Sequence, residues 1–256
     1  METTLEVDLT YVDKPKRYGV DERELVNTTI HRSLPADSVA LVLVDLWDRI
    51  YVASHLERAR GITREVIASL ADAFRNVGAA VVHAPCPSVA EQFPEFRFNK
   101  EISASTGEPA DWPPADFRNK RGEYAEFALP SEPATPEYDA AIQERKMSPL
   151  IDVRKPDVVV ANGPEMHAFL KDRGVLWLFY CGFATNVCVL FRDYGMVAMA
   201  RQYGYEVILV RDATTGIETA ETADGLKLTE GVVGITEHIL GYSTTSGSLM
   251  QACEVV

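Results

Sequence analysis

The sequence has only four cysteines, Cys86, Cys181, Cys188 and Cys253, with no CxxC pair and no regular spacing. A chain of 256 residues buries enough core to do without a disulfide or metal staple. Scattered cysteines in the absence of a secretory signal point to reduced thiols and a cytosolic address. Residues 1–11 are acidic and lack the basic-then-apolar pattern of such a signal. No apolar run approaches the roughly 18 residues that span a bilayer. Among five histidines there is no HxH, DxH or HExxH spacing, which argues against a dedicated metal site. No GxGxxG follows the first strand-like run, which disfavours a dinucleotide cofactor. Basic residues are also short, 25 Lys and Arg against 38 Asp and Glu, a net charge of −13. That balance disfavours nucleic acid and anionic membranes as partners. What remains is an expectation of a small-molecule substrate, with no metal and no cofactor.

What is present reads as an α/β chain. Short apolar runs at Val39–Asp45, Ala79–His83, Leu176–Gly182 and Glu206–Arg211 have the composition of strands buried on both faces, and Asp157–Ala161 is a shorter candidate. Between them, Thr63–Asn76 spaces Val66, Ile67, Leu70 and Phe74 at helical intervals and stops at Gly78. Glu165–Arg173 ends before Gly174, and Cys188–Tyr203 reads as one helix ending before Gly204. The alternation predicts a doubly wound, mostly parallel sheet flanked by helices. Residues 1–38 read as a polar N-terminal extension with little periodicity, and 39–256 as a single α/β domain. Within it, residues 86–150 hold most of the prolines and few clear elements, and are expected to be a long loop insertion, a lid or an interface.

Ligands in open α/β sheets bind beyond the carboxyl ends of the strands. Asp45 ends the first run, His83 the second, and the Leu176–Gly182 run ends in Gly182-Phe183-Ala184-Thr185-Asn186-Val187-Cys188 and a helix. Cys188 is therefore expected near a helix N-terminus, where free N–H groups favour a thiolate.

Three blocks, LVLVDLWDRIY, VRKPDVVVANGPEMHAFLKDRGV and YCGFATNVCVLFRDYGMVAMARQYGYEVILVRDATTG, resemble the signatures of the isochorismatase-like cysteine hydrolases. That superfamily includes nicotinamidases, N-carbamoylsarcosine amidohydrolases, ureide and biuret hydrolases, and isochorismatase. The resemblance covers about Val39–Gly216, and GFATNVCV is its most specific part. It implies Cys188 as nucleophile, Asp45 as general base and Lys155 as the charge-stabilising lysine. It also implies a cis peptide between Phe183 and Ala184, with the Ala184 and Cys188 N–H groups as an oxyanion hole. The chemistry implied is hydrolysis of a C–N bond in a small amide, ureide or N-carbamoyl compound through a thioester, by a homo-oligomer (dimer or tetramer). The metal-binding Asp-x-His pattern of nicotinamidases is missing, which disfavours nicotinamide.

Each residue also has a plainer reading. Cys181, inside an apolar strand, reads as an inert core thiol. Cys86 could line the cleft, with loop packing the alternative, and an aspartate at a strand end is often only a turn residue. Lys146 competes with Lys155, which is preferred because the segment after it keeps the family's spacing to the helix and the next strand. Trp47, His83, Arg97, Arg118 and Phe183 are candidate substrate contacts. For His83 the alternative is a hydrogen-bonded strand-end histidine. For Arg97 and Arg118, expected to hold an anionic substrate group, it is pairing with Glu91, Glu95, Asp116 or Glu123. Two other functions stay open: vinyl-ether hydrolysis of the isochorismatase type, and a non-catalytic binding protein on the same fold.

Overall fold

A computed structural model describes residues 3–103, 112–128 and 135–254; parts of the 86–150 insertion, 104–111 and 129–134, lie outside the described residues. The strands are β1 (Thr4–Asp13), β2 (Val26–Pro35), β3 (Val39–Val44), β4 (Ala80–Ala84), β5 (Val158–Val159), β6 (Trp177–Phe183), β7 (Glu206–Thr215) and β8 (Tyr242–Thr244). They form one eight-stranded sheet in the order β2-β1-β8-β7-β6-β3-β4-β5. From β8 to β5 every pairing is parallel, and β1 and β2 add an antiparallel edge. β3 is buried along its whole length, which is why it reads as an unbroken apolar run rather than an alternating one.

Helices cover both faces. They are α1 (Ala53–Ile62), α2 (Ala68–Asn76), α3 (Pro87–Ala90), α4 (Ala115–Arg118), α5 (Pro136–Gln143), α6 (Gly163–Arg173), α7 (Met196–Arg201), α8 (Lys227–Ile235) and α9 (Ser246–Glu254). Ile67, Leu70 and Phe74 around α2, with Leu249 of α9, pack on one face against Leu41, Leu43 and Phe179. Met166 and Leu170 of α6, Met199 of α7 and Val232 of α8 pack on the other against Val42, Val44 and Tyr180. This alternation along β3 and β6 is the two-layer consequence of the strand period. α6 is capped at both ends, by the Asn162 side chain accepting from the Glu165 N–H and by Gly174 at φ 72°.

Three local readings of the sequence need correction. Residues 1–38 are not aperiodic: Leu5, Val7 and Leu9 alternate inward along β1, which pairs with β2 over ten residues. The helix expected at Thr63–Asn76 begins a further ten residues upstream, as α1 runs through a π-helical turn at Thr63–Ile67 into α2. Cys188–Tyr203 is not one helix. A single π-helical turn, Thr185–Val189, is separated from α7 by a turn through Asp193-Tyr194-Gly195. The Tyr194 hydroxyl donates to the Pro85 carbonyl at 2.9 Å, and a Cβ on Gly195 would lie 2.7 Å from the Leu190 carbonyl oxygen. The tight turn and its anchor break the helix despite good local propensity.

The insertion is docked onto the carboxyl ends of the strands. Arg97 bridges Val159 beside β5, and Met147 bridges Trp47 just after β3. Strand order reverses at β3, with β4 on one side and β6 on the other, so the crevice beyond β3 and β6 is the switch point of the sheet.

Candidate active site

Asp45 follows β3 with φ of 46°, a conformation uncommon for a residue with a side chain. Its N–H donates to the Ala84 carbonyl at 3.2 Å, fixing it between β3 and β4. Next to it, β6 crosses at Gly182, where an added Cβ would stand 2.1 Å from the Val44 carbonyl oxygen. Only glycine allows this approach, and it brings the turn carrying Cys188 against Asp45. The Phe183–Ala184 peptide is cis, and Phe183 itself is buried edge-on to His55. The Thr185 hydroxyl shares a 2.6 Å hydrogen bond with that of Thr214. The Asn186 side chain donates to the Ile217 carbonyl and accepts from its N–H, at 2.9 and 3.0 Å. The polar residues of the ATNVC block thus tie the β6 turn to the end of β7.

Asp45 is fully buried beneath a cleft of about 660 Å³ whose lining includes Cys188, Ala184 and Arg192. Arg192 reaches Asp45 Oδ2 with Nε at 3.2 Å and a terminal nitrogen at 3.1 Å. The other oxygen, Oδ1, is buried with no hydrogen-bond partner, although the Cys188 thiol and the Cys86 N–H face the same carboxylate in looser contacts. Burial lifts the Asp45 carboxyl above the ordinary range, and Arg192 and the two cysteine groups pull against it. The Cys188 thiol is pushed up to about 12, first by burial and then by the negative charge of Asp45. The Ala184 N–H, pointing at its sulfur, works in the opposite direction. Desolvation outweighs the donors that a single five-residue turn offers, which favours the thiol form and leaves the sulfur in need of a base to activate it.

Other expected contacts distribute unevenly. Trp47 lines the cleft and Arg145 lies over its ring at 4.0 Å. Lys155 is not brought to Cys188. It stands exposed three residues before β5, and the start of a parallel strand lies at the sheet edge opposite the carboxyl ends. Lys146 is exposed as well, on the outer surface by Arg60 and Leu150. His83 is buried away from the cleft with Nε2 2.9 Å from Asp157, so its hydrogen-bonded reading is the one observed. Arg97 spends its fork on buried Glu165 at 2.6–3.1 Å, a partner outside those considered from sequence. Arg118 is exposed on α4, outside the cleft. Cys86 does not line the cleft, but its backbone N–H faces Asp45.

Two charged cleft residues, Arg192 and Arg145, were not anticipated from the sequence. Arg192 lies four residues after Cys188, one helical turn on, a spacing that puts both on one face and was available to find it. Arg145 gave no comparable signal, since its position depends on how the insertion docks. Among the described residues no group of three or more His, Cys, Asp or Glu is arranged to hold a metal ion. No helix among them is long and apolar enough to cross a membrane.

A doubly wound parallel sheet with a buried aspartate and a cysteine at its switch point defines the class as an open α/β fold with its site beyond the strand ends. The isochorismatase domain model matches residues 39–238, and the chain belongs to the isochorismatase family, which places it among hydrolases. Solved structures share the fold at low identity. A cysteine hydrolase from Pseudomonas syringae pv. phaseolicola 1448A is 14% identical with a TM-score of 0.53, over 87% of this chain and 95% of that one. An isochorismatase family protein from Desulfovibrio vulgaris subsp. vulgaris str. Hildenborough is 18% identical with a TM-score of 0.51, over 85% and 98%. Another, from Burkholderia thailandensis, is 21% identical with a TM-score of 0.50, over 85% and 96%. No curated protein sequence matches the chain.

Proposed function

We propose that the protein hydrolyses a C–N bond in a small amide, ureide or N-carbamoyl compound, with Cys188 as nucleophile, Asp45 as base and Arg192 as the cation that the family resemblance assigned to a lysine. The observation that carries this reading is the Cys188 thiol in the cleft, facing a buried carboxylate whose Oδ1 has no hydrogen-bond partner among the described residues. A carboxylate in that state is a poised proton acceptor. Arg192 keeps it ionised between steps without itself giving up a proton.

As the sulfur attacks the carbonyl carbon, the S–C bond forms and the thiol proton passes to Asp45. Negative charge gathers on the carbonyl oxygen, and the N–H groups of Ala184 and Cys188 take the role of its donors. Asp45 returns the proton to the leaving nitrogen, the C–N bond breaks, and a thioester remains. Asp45 then takes a proton from water, whose oxygen attacks the thioester. The S–C bond breaks, the acid leaves, and the proton restores the Cys188 thiol.

The test is an ammonia-release screen over amides, ureides and N-carbamoyl amino acids, with Cys188→Ala as blank. Release by the wild type alone supports the reading. Equal release by both proteins, or release by neither across all three classes, rejects it.

A further inference from the structure

The cleft carries more positive charge than its catalytic arrangement uses. Its lining includes two arginines and no aspartate or glutamate, in a chain of net charge −13. Arg192 is neutralised from below by Asp45. Arg145 is not neutralised: its side chain makes no hydrogen bond or ion pair with any described residue, and its Nε is buried without a partner. The adjacent acid, Glu144, is occupied by Arg49 at 2.8 Å. The Arg145 guanidinium carbon lies over the Trp47 ring, 4.0 Å from its centroid, a contact that holds the group in the cleft without using its N–H donors. An arginine edge is a two-pronged donor matched to a carboxylate.

The geometry points to Arg145 as an anion anchor, so that the preferred substrate is a small amide-type compound bearing a carboxylate on an apolar body. This rests on the reading of the cleft as the substrate site of Cys188. The same cleft is lined by Ile50, Ile142, Phe191 and Ile217, apolar surface suited to a hydrocarbon segment rather than a second charged group. Tyr51 and Tyr138, edge-to-face at 5.5 Å, close the side nearest α5. The anionic group expected from sequence to sit on Arg97 or Arg118 thus moves to a residue whose fork is unspent.

Labelling of Cys188 tests the anchor without a known substrate. The probes are 3-maleimidopropionic acid and its neutral amide, followed by intact mass, with Cys188→Ala as blank and glutathione as the reference thiol. In the wild type the acid-to-amide rate ratio should exceed that of glutathione by at least ten-fold. Arg145→Gln should bring the ratio down to the glutathione value, and Arg145→Lys should keep part of the preference. Butyrate, and not butyramide, should slow labelling of the wild type by the neutral amide, a measurement that stands even where Arg145→Gln does not fold. A wild-type ratio equal to that of glutathione, a preference that survives Arg145→Gln, or equal effects of butyrate and butyramide would each overturn the anchor. Loss of all amide hydrolysis with the labelling preference intact would reject the C–N reaction and leave the anchor standing.

Discussion

Two buried aspartates, one after the central strand β3 and one before the edge strand β5, show how one chemical pair is built for two purposes. Asp157, just before β5, takes both its oxygens into bonds: Arg75 donates to Oδ1 at 2.9 Å and to Oδ2 at 2.7 Å, and Oδ2 also meets His83 at 2.9 Å and the Arg154 N–H at 3.2 Å. Asp45, just after β3, has its closest bonds from Arg192 to Oδ2, at longer distances, with the Cys188 thiol and the Cys86 N–H in looser contact. Burial would raise both acids. At Asp157 the bonds from His83 and Arg75 win and hold the carboxyl at about 2, whereas at Asp45 burial wins and the carboxyl rises. A saturated carboxylate is locked in its charged form, and an undersupplied one is ready to accept a proton.

The largest effect should come from removing the undersupplied acid. Asp45→Asn keeps the shape but cannot take the thiol proton, and should lower kcat by about a thousand-fold or more. Circular dichroism and thermal unfolding should show an intact fold. A kcat within ten-fold of wild type would give Asp45 and Asp157 the same, purely structural, role. Because Asp45's carboxyl is raised, kcat/KM should also fall on acidification at a pH above the ordinary carboxylate range, as the base becomes protonated.

Arg192 comes next. Arg192→Met should cost about a hundred-fold in kcat, the scale of one preorganised electrostatic contact, and Arg192→Lys should recover part of it. Lys155→Met, far from the cleft, should leave kcat within two-fold. The reverse pattern would return the cation's role to the lysine implied by family resemblance.

These substitutions also mark what the sequence made legible. The doubly wound core followed from apolar runs and glycine stops, and Asp45 and Cys188 followed from strand ends and a specific block. Lys155 misled because its spacing to α6 was counted along the chain, whereas the direction of β5 decides which end of the sheet a residue occupies. β8, three residues long, is too short to carry a period, while the alternation of Leu5, Val7 and Leu9 was present and was masked by polar residues around it. Arg192 was legible as the fourth residue after Cys188. Arg145 was not, since its free edge exists only because residues 145–148 fold back onto Leu46–Asp48.

The smallest effect concerns stability alone. Asp157 lies outside the cleft, so Asp157→Asn should leave kcat/KM unchanged within about two-fold. Its folded value of about 2 stands below an unfolded value near 3.9, a depressed acid. Such a group stabilises the fold fully above the unfolded value and loses that contribution as pH falls through the folded value. At pH 7 the variant should therefore be less stable by about 2–3 kcal/mol, from a shift of about two pH units at about 1.4 kcal/mol each. Between about pH 4 and pH 2 the gap to wild type should close as the native carboxylate takes up its proton. His83, held below its ordinary value by burial, is bonded to Asp157, so both proteins are compared in a His83→Gln background that removes its own proton uptake. Urea unfolding at pH 7, 5, 4 and 3 measures the difference directly. A gap that stays constant over that range would mean that Asp157 acts through shape and not through charge, and the contrast with Asp45 would lose its electrostatic basis.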